Sequence, residues 1–584
     1  MSVASRITSA AKNQWGWAAG YSRRLFTDDL VAAIVVTILL VPQSLAYALL
    51  AGLPPQVGIY ASIAPLIAYA VLGSSNQLNV GPTAVVSLMT AACIATLPDE
   101  QRIIGAAALA LIVGVILLVA GLLRAGFLMN FVSRPVVSAY ITGAALLIII
   151  SQLRHIIGVE GGGRTAFAMV SNLASQLSFA KPLTIGVGVA SLVAFFLARN
   201  SVAYRLVKAG MSSRRARMAS RIAPILIIFI ALAISGVFDL GDHGLAIVGP
   251  IPGGLPPLSF PVTDLGFFES LFIPAAVIAI VAFVDSTSTA QELAARNREA
   301  VDADKELLGL GAANVAAGLT GGYAVNGSMS RSAVNAAAGG RTPISGLIVA
   351  ALMTLTALFL TPYLRPLPLA VLAALIIIAC LSLLDFKSIW RTWVYSRADG
   401  ITALATFLAV LILGVQWGVL AGVVLAMALH IRSTVSPHMP LVGRFPGTEH
   451  YRDAERFVVE TDDRVKTLRI DESLYYANAR TLEDRVAEIV GQNEAMTDLV
   501  LMCPAVNRID ASALESLEII NARLKAADIR LHFSDMQSRV RERLYRSSFL
   551  DRLSGQIFLS QHEAMETLSG VADFSFLDDH IDMH

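Results

Sequence analysis

The sequence predicts an α-helical membrane protein of about fourteen segments, arranged as two inverted halves of seven, followed by a smaller α/β domain in water. Three observations carry this. Hydrophobic residues make up 55% of the chain and charged ones 15%, far from the roughly 25% charged residues of soluble domains, and the mean hydropathy is +0.66. Residues 30–431 are a train of apolar segments, whereas 441–584 turn charged, with "RVKTLRIDE", "TLEDRVAEIV" and "RERLYRSS" in place of long hydrophobic runs. Finally, two short, Gly/Pro-interrupted segments stand at matching places, third in each half.

The elements follow in order. The opening stretch "MSVASRITSAAKNQWGWAAGYSRRLFTDD" is polar and lacks a cleavage-type ending, so the first helix is expected to stay as a signal anchor. Arg6, Lys12, Arg23 and Arg24 lie upstream of it and place the N-terminus in the cytoplasm, where basic residues collect. Several later segments fall short of the roughly 20 residues that a straight span requires. Residues 199–221 are strongly basic, while 237–270 hold Asp239, Asp242, Asp264 and Glu269 but no Lys or Arg, so these loops face opposite sides. Counting through fourteen segments puts both termini inside, together with "RNREAVDADKE" and "DFKSIWRTWVYSRAD". Residues 153–181 go against the rule: they fall outside yet carry Arg154, Arg164 and Lys181. The expected division is a cytoplasmic segment 1–29, a transport domain 30–432, a linker 433–455, an α/β domain 456–570 and a tail 571–584.

The interrupted segments are "NQLNVGPTAVVSLM" (76–89) and "YAVNGSMSRSAVN" (323–335). Such segments in corresponding positions of two halves point to a transporter's binding site. As half-helices meeting near the bilayer midplane, they would aim unsatisfied N–H groups and positive dipole ends at an anion. Arg331 adds a fixed charge; Thr83, Ser328 and Ser330 offer hydroxyls; Gly81 and Gly327 let a ligand approach the backbone. A cation at that depth costs at least about 3 kcal/mol, which favours a functional reading; snorkelling or a structural pairing is the alternative. Asp285, in the eighth segment, has Thr289 four residues on and hence on the same helical face. The pair suits Na⁺ ligation, or the carboxylate suits carrying a proton; the alternative is a structural pair with Arg331. Gln43 and Tyr47 in the first segment are further candidate ligand contacts, or else helix–helix hydrogen-bonding groups.

Other classes recede. The net charge of +1 gives no reason to expect a nucleic-acid partner. Cys93, Cys380 and Cys503 are far apart and match neither a disulfide framework nor a zinc site. No nucleophile with a partnered His and acid, and no metal-ligand cluster, stands among the apolar segments, which argues against an enzyme. No cofactor is expected beyond H⁺ or Na⁺ as a coupling ion, the latter at Asp285 and Thr289.

"PQVGIYASIAPLIAYAVLGSSN" (55–76), "NVGPTAVVSLM", "FVSRPVVSAYITGAALLIIISQL" and "GSMSRSAVN" resemble the SulP family of anion permeases. The first departs from the family pattern at Val57, Ile59 and Asn76. The resemblance implies a seven-plus-seven inverted repeat like that of uracil permeases, a core domain moving against a gate domain in an elevator-like cycle, and homodimers. It also sets Ser330-Arg331 beside the anion site and associates the position of Asp285 with cation coupling. Sodium-coupled bicarbonate members have an Asp with a Thr four residues later, as here. The charged C-terminal part resembles a STAS domain: "DRVKTLRID", "DLVLMCPAV" and "IRLHFSD" read as strands, "TLEDRVAEIVGQ" and "SALESLEIINARLKAAD" as helices. In "DASA", Ser512 aligns with the serine that is phosphorylated in regulatory STAS proteins; Asp510 and Ser512 read first as loop and helix-cap residues.

The expected function is secondary active transport of a small anion, sulfate foremost, by proton- or Na⁺-coupled symport in a bacterial-type inner membrane. Bicarbonate or C4-dicarboxylate symport and anion exchange are alternatives; an anion-responsive sensor signalling through the STAS domain is the alternative of another class. Expected partners are the anion, membrane lipids and a second copy of the chain, with any cytoplasmic partner of the STAS domain unidentified.

Overall fold

The computed structural model describes residues 21–569 except 96, 128–132, 164, 262–264 and 298. The first twenty residues and the expected tail 571–584 therefore lie outside the described residues, as do Arg164 and Asp264. The chain divides into two compact units, Met1–Ala426 and Met427–His584. Among the described residues, eight helices are long and apolar enough to cross a membrane, and four shorter apolar helices accompany them.

The first half of the membrane unit runs α1 (Arg23–Leu50), α2 (Pro55–Tyr60), α3 (Ala64–Leu72), β1 (Val80–Gly81), α4 (Ala84–Ile94), α5 (Asp99–Leu122), α6 (Arg134–Ile157), α7 (Ala166–Ser175), α8 (Pro182–Asn200), α9 (Val202–Lys208) and α10 (Ser213–Val237). The second runs α11 (Leu265–Asn297), α12 (Ala303–Leu319), β2 (Asn326–Gly327), α13 (Met329–Ala338), α14 (Ile344–Leu355), α15 (Leu369–Cys380), α16 (Phe386–Tyr395), α17 (Arg397–Leu413) and α18 (Val415–Val435). The apolar length of each long helix follows from its composition, because in lipid every backbone polar group must be satisfied within the segment.

The helices sort into two bundles. In one, α12 packs on α5 and α3, α11 on α5, and α13 and α14 on α1. In the other, α6 packs on α15 and α17, and α8 on α15 and α10. The glycines of "LGLGAANVAAGLTGG" explain the tight α5–α12 seam. A Cβ on Gly311 would meet the Leu118 N at 2.7 Å, and one on Gly318 the Ala107 O at 2.7 Å, so the two backbones touch as small residues permit. The buried Glu306 carboxylate on α12 ties this bundle together by accepting from the Tyr69 hydroxyl at 2.8 Å and the Ser74 hydroxyl at 2.6 Å. Asp29 at the start of α1 does the same for α14, accepting from Thr342 Oγ1 at 2.6 Å and from the Arg341 N–H at 2.8 Å.

The second unit holds β3 (Leu441–Arg444), β4 (Tyr451–Asp453), β5 (Val465–Arg469), α19 (Ala479–Gln492), β6 (Asp498–Met502), α20 (Ala511–Ala526), β7 (Arg530–Ser534), α21 (Ser538–Tyr545), α22 (Phe549–Arg552) and α23 (Gln561–Ser569). The sheet order is β4-β3-β5-β6-β7, with β5, β6 and β7 parallel and β3 and β4 antiparallel. The alternation of parallel strands with helices is what the sequence pattern predicts. The stretch expected as a linker, 433–455, carries β3 and β4; at four and three residues they are too short for a strand period to show. Leu468, Leu499, Leu501, Leu517 and Leu531, all fully buried, form the core of this unit.

Candidate functional site at the paired half-helices

Two strands of two residues each hold the site together. Val80 pairs with Gly327 and Gly81 with Asn326 in an antiparallel bridge, and each strand leads directly into a short helix, α4 or α13. Antiparallel pairing brings the N-terminal ends of α4 and α13 to one place from opposite directions. The spacing that carries Gly81 onto Gly327 also carries Gln43 onto Thr289.

The helix tips are poorly capped from within. Thr83 occupies the N-cap position of α4, but its side chain caps no helix N–H and instead donates to Asn326 Oδ1. Ser328, the N-cap of α13, accepts from the Arg331 N–H only at 3.5 Å, beyond an ordinary hydrogen bond. The first N–H groups of both helices are thus left for another acceptor.

Arg331 lies in the first turn of α13 and is 1% exposed. Its Nε donates to Asn79 Oδ1 at 2.9 Å and its Nη1 to the Pro82 carbonyl at 2.7 Å. Its Nη2 is buried without a hydrogen-bond partner. Among the described residues no carboxylate makes an ion pair with Arg331, so the structural pairing with Asp285 is not what holds this cation. A Cβ on Gly81 would sit 3.2 Å from Nη2: glycine at that position keeps the space beside the guanidinium free. On Gly327 a Cβ would meet the Leu78 side chain at 2.8 Å, while the Gly327 N–H donates to Ser286 Oγ at 2.8 Å. The buried hydroxyls of Tyr47 and Tyr323 lie within electrostatic reach of Arg331, and Tyr323 Oη is 2.9 Å from Ser87 Oγ.

Asp285 meets the same strand pair through a side chain. Its Oδ2 accepts from Asn326 Nδ2 at 2.7 Å, so Asn326 links Thr83 on one half to Asp285 on the other. The carboxylate also borders a small cavity of about 20 Å³ with Tyr140, Val284 and Val419, between α11, α6 and α18. Thr289 is buried one turn further along α11. Gln43 on α1 has its Oε1 buried without a partner. Ser330 is exposed, with its Oγ 3.4 Å from Ser328 Oγ. The strand pair therefore gathers Gly81, Thr83, Gly327, Ser328, Ser330 and Arg331, reaches Asp285 through one amide, and stands near Tyr47. Ser512 belongs to the second unit, exposed in the first turn of α20, whose N-cap is Asp510, accepting from the Ala513 N–H at 2.9 Å.

Asn79, Asn326, Ser286 and Tyr323 are missing from the sequence-derived set. A usable signal existed for the first two, since "LNVGP" and "VNGSM" each set an Asn one or two residues before the interrupting Gly. Ser286 and Tyr323 carry no such mark; only packing shows their partners.

The profile described as "Sulfate permease family" matches residues 26–406, and that of the STAS domain matches residues 456–564. The chain belongs to the Sulfate permease family. Its members are transporters rather than enzymes, and secondary transport of anions is the family's activity. The chain is 37% identical over 565 residues to a "Probable sulfate transporter" of Mycobacterium tuberculosis, covering 94% of this chain and 98% of that protein. The solved structure of SLC26A9 superposes with a TM-score of 0.88 at 22% identity, over 98% of this chain and 95% of that one. The transmembrane domain of a cyanobacterial bicarbonate transporter, BicA, gives 0.58 at 23% identity, over 70% of this chain and 98% of that one. These two likenesses show the fold, and the two profiles show a Sulfate permease membrane domain with a C-terminal STAS domain, as the motifs indicated.

Proposed function

We propose that this integral membrane protein is a cation-coupled symporter of a small oxyanion, sulfate foremost, bound between the tips of α4 and α13. The observation that carries the reading is Arg331 Nη2, a buried charged donor with no acceptor, beside Gly81, the α4 tip that its N-cap side chain leaves uncapped and the α13 tip with its long Ser328 cap. Burying an unpaired cation costs several kcal/mol; a dehydrated dianion at this spot would offset that cost and take up the free N–H groups as well. The name of the mycobacterial relative favours sulfate.

In the mechanism, Arg331 and the two tips bind the anion, Ser328 orients it with a hydroxyl hydrogen bond, Thr83 lines the site while its own hydroxyl donates to Asn326, and Tyr47 and Gln43 on α1 complete the wall. Asp285, joined to the strand pair through Asn326, takes up the coupling H⁺ or, with Thr289, Na⁺. The two bundles would be the core and gate of an elevator-like cycle within a seven-plus-seven inverted repeat, the antiparallel β1–β2 pair lying at the repeat's axis. Both termini then face the cytoplasm of a bacterial-type inner membrane, and the protein works as a homodimer. The Asp285–Thr289 spacing favours, as a second reading, sodium-coupled bicarbonate transport at the same site.

Proteoliposome uptake of labelled sulfate, bicarbonate and succinate under imposed Na⁺ or proton gradients tests this. Sulfate uptake is expected to follow one gradient, and Arg331→Ala to lower anion affinity at least about tenfold, the loss of one charge-assisted contact. Normal affinity and flux in that variant would remove the site. Sulfate binding without flux would favour the sensor.

A further inference from the structure

A cavity of the membrane unit lies at the other end of α4. It measures about 360 Å³ and is lined by Ala91, Ala92, Ile94 and Ala95 at the end of α4, by Ser151, Gln152 and Arg154 from the last turns of α6, and by Arg102 from the first turn of α5. It also touches Leu50 and Gly52 at the end of α1 and Val415 at the start of α18, so it opens between the two bundles. α4 spans eleven residues, or roughly 16 Å at 1.5 Å per residue, so this cavity and the surroundings of Arg331 are separate places joined by one helix.

Its charge is one-sided. Among the described residues that line it there is no carboxylate. Arg102 spends Nη1 on the exposed Asp99 at 2.6 Å, but its Nε is buried with no partner. Arg154 donates from Nε to His155 Nε2 at 3.2 Å and from Nη1 to the Gly161 carbonyl, and has no ion pair among the described residues. Glu160, exposed, borders an adjoining small cavity with Arg154. Arg154 is also one of the residues that break the loop-charge rule in the sequence.

We infer that this cavity is a second anion site, a receiving vestibule in which a small oxyanion is held by Arg102 and Arg154 before it reaches Arg331. A low-dielectric cleft lined by one sign of charge raises the local concentration of its counter-ion by about 10- to 1,000-fold. The rival is that the two arginines only balance the carbonyl ends of α1, α4 and α6, which finish here. Under the rival their field is spent on those carbonyls and attracts no ion. The identity of the ion rests on the proposed function; the presence of the field does not.

The test uses the full-length protein in proteoliposomes, with Cys93→Ala and a reporter thiol at Ala95→Cys, an exposed lining position. Modification rates are compared for anionic sulfonatoethyl and cationic trimethylammonioethyl methanethiosulfonate, each relative to a free thiol. The anionic reagent is expected to be favoured about tenfold, the preference to vanish in Arg102→Gln/Arg154→Gln, and sulfate to slow labelling more than gluconate of equal ionic strength. A ratio equal to that of free thiol, a ratio indifferent to the two substitutions, or equal slowing by both salts would each overturn the proposal. In the uptake assay Arg154→Gln is expected to raise the half-saturation concentration several-fold at unchanged maximal rate, and Arg154→Lys to restore it; an unchanged half-saturation concentration would count against the site. Should sulfate prove not to be carried at all, the proposed function fails while the labelling ratio still decides the vestibule.

Discussion

Single side chains in this protein are legible through what they leave unsatisfied and what they satisfy. Arg331 keeps one donor idle in a buried place; His532, in the STAS unit, keeps none. His532 Nδ1 accepts from the Gln556 N–H at 3.1 Å, which leaves Nε2 to donate to Asp498 Oδ1 at 2.9 Å. Only the neutral ring meets both demands, because a proton on Nδ1 would face another donor. Burial holds the imidazole below its ordinary 6.5, outweighing the attraction of Asp498. Burial pushes the Asp498 carboxyl up, but bonds from Arg530, Thr497 and His532 outweigh it and leave it below its ordinary 3.8. Both groups thus bind fewer protons folded than unfolded, so both lose stability as pH falls. The His532 part is present above about pH 6.5 and declines below it; the Asp498 part declines only below about 3.8. Hydrogen exchange of β6 and β7, corrected for intrinsic rates, is therefore expected to speed up between pH 7 and 5, and His532→Asn to flatten that dependence. Equal protection at both pH values in the unaltered protein would contradict the neutral assignment.

At the scale of elements, two residues of strand do what a long helix could not. A continuous helix through 76–94 would satisfy its own N–H groups; the break at Gly81-Pro82 ends that pattern and leaves the tip of α4 free. The pairing with β2 then fixes where the tip points. Gly81 and Gly327 hold equivalent places in the strand pair yet do different work, one facing Arg331 Nη2 and the other the Leu78 side chain. Gly81→Ala is expected to lower sulfate affinity roughly tenfold, about 1.4 kcal/mol, with little change in melting temperature. Gly327→Ala is expected to lower the melting temperature first, since its methyl group overlaps packed side chain. Sulfate titration and thermal unfolding of the detergent-solubilised protein separate the two; identical behaviour would undo the distinction.

For the molecule as a whole, coupling requires that ion and anion share one moving body. Asp285 is bonded to Asn326 within the strand pair, and Arg331 to Asn79 and Pro82, which flank β1 on either side, so the two charges are fastened to one strand pair and its flanks without touching each other. Asp285→Asn keeps a hydrogen-bonding side chain of the same size while deleting the charge. It is expected to abolish accumulation of sulfate against a gradient and to leave sulfate–sulfate exchange largely intact, read in proteoliposomes. Undiminished accumulation would move coupling to another carboxylate, of which Glu306 and Asp29 are fully buried in the membrane unit.

Composition and hydropathy alone determined the class, because lipid admits only chains that hide their backbone polar groups, and that demand is written in every apolar run. The interrupted segments marked the site for the same reason: Gly and Pro in an apolar stretch announce a backbone that something else must satisfy. Arg331 and Asp285 stood out as charges where charge is costly. Their relation did not. Whether they neutralise each other or stand apart depends on which faces of α11 and α13 meet, a contact between residues far apart in the chain that no local pattern encodes. Only the folded molecule joined Asn326 to Asp285 and Thr83, made Asn79 and Pro82 the anchors of the guanidinium, and set Arg102 and Arg154 around one cavity, since these are outcomes of packing rather than of sequence period.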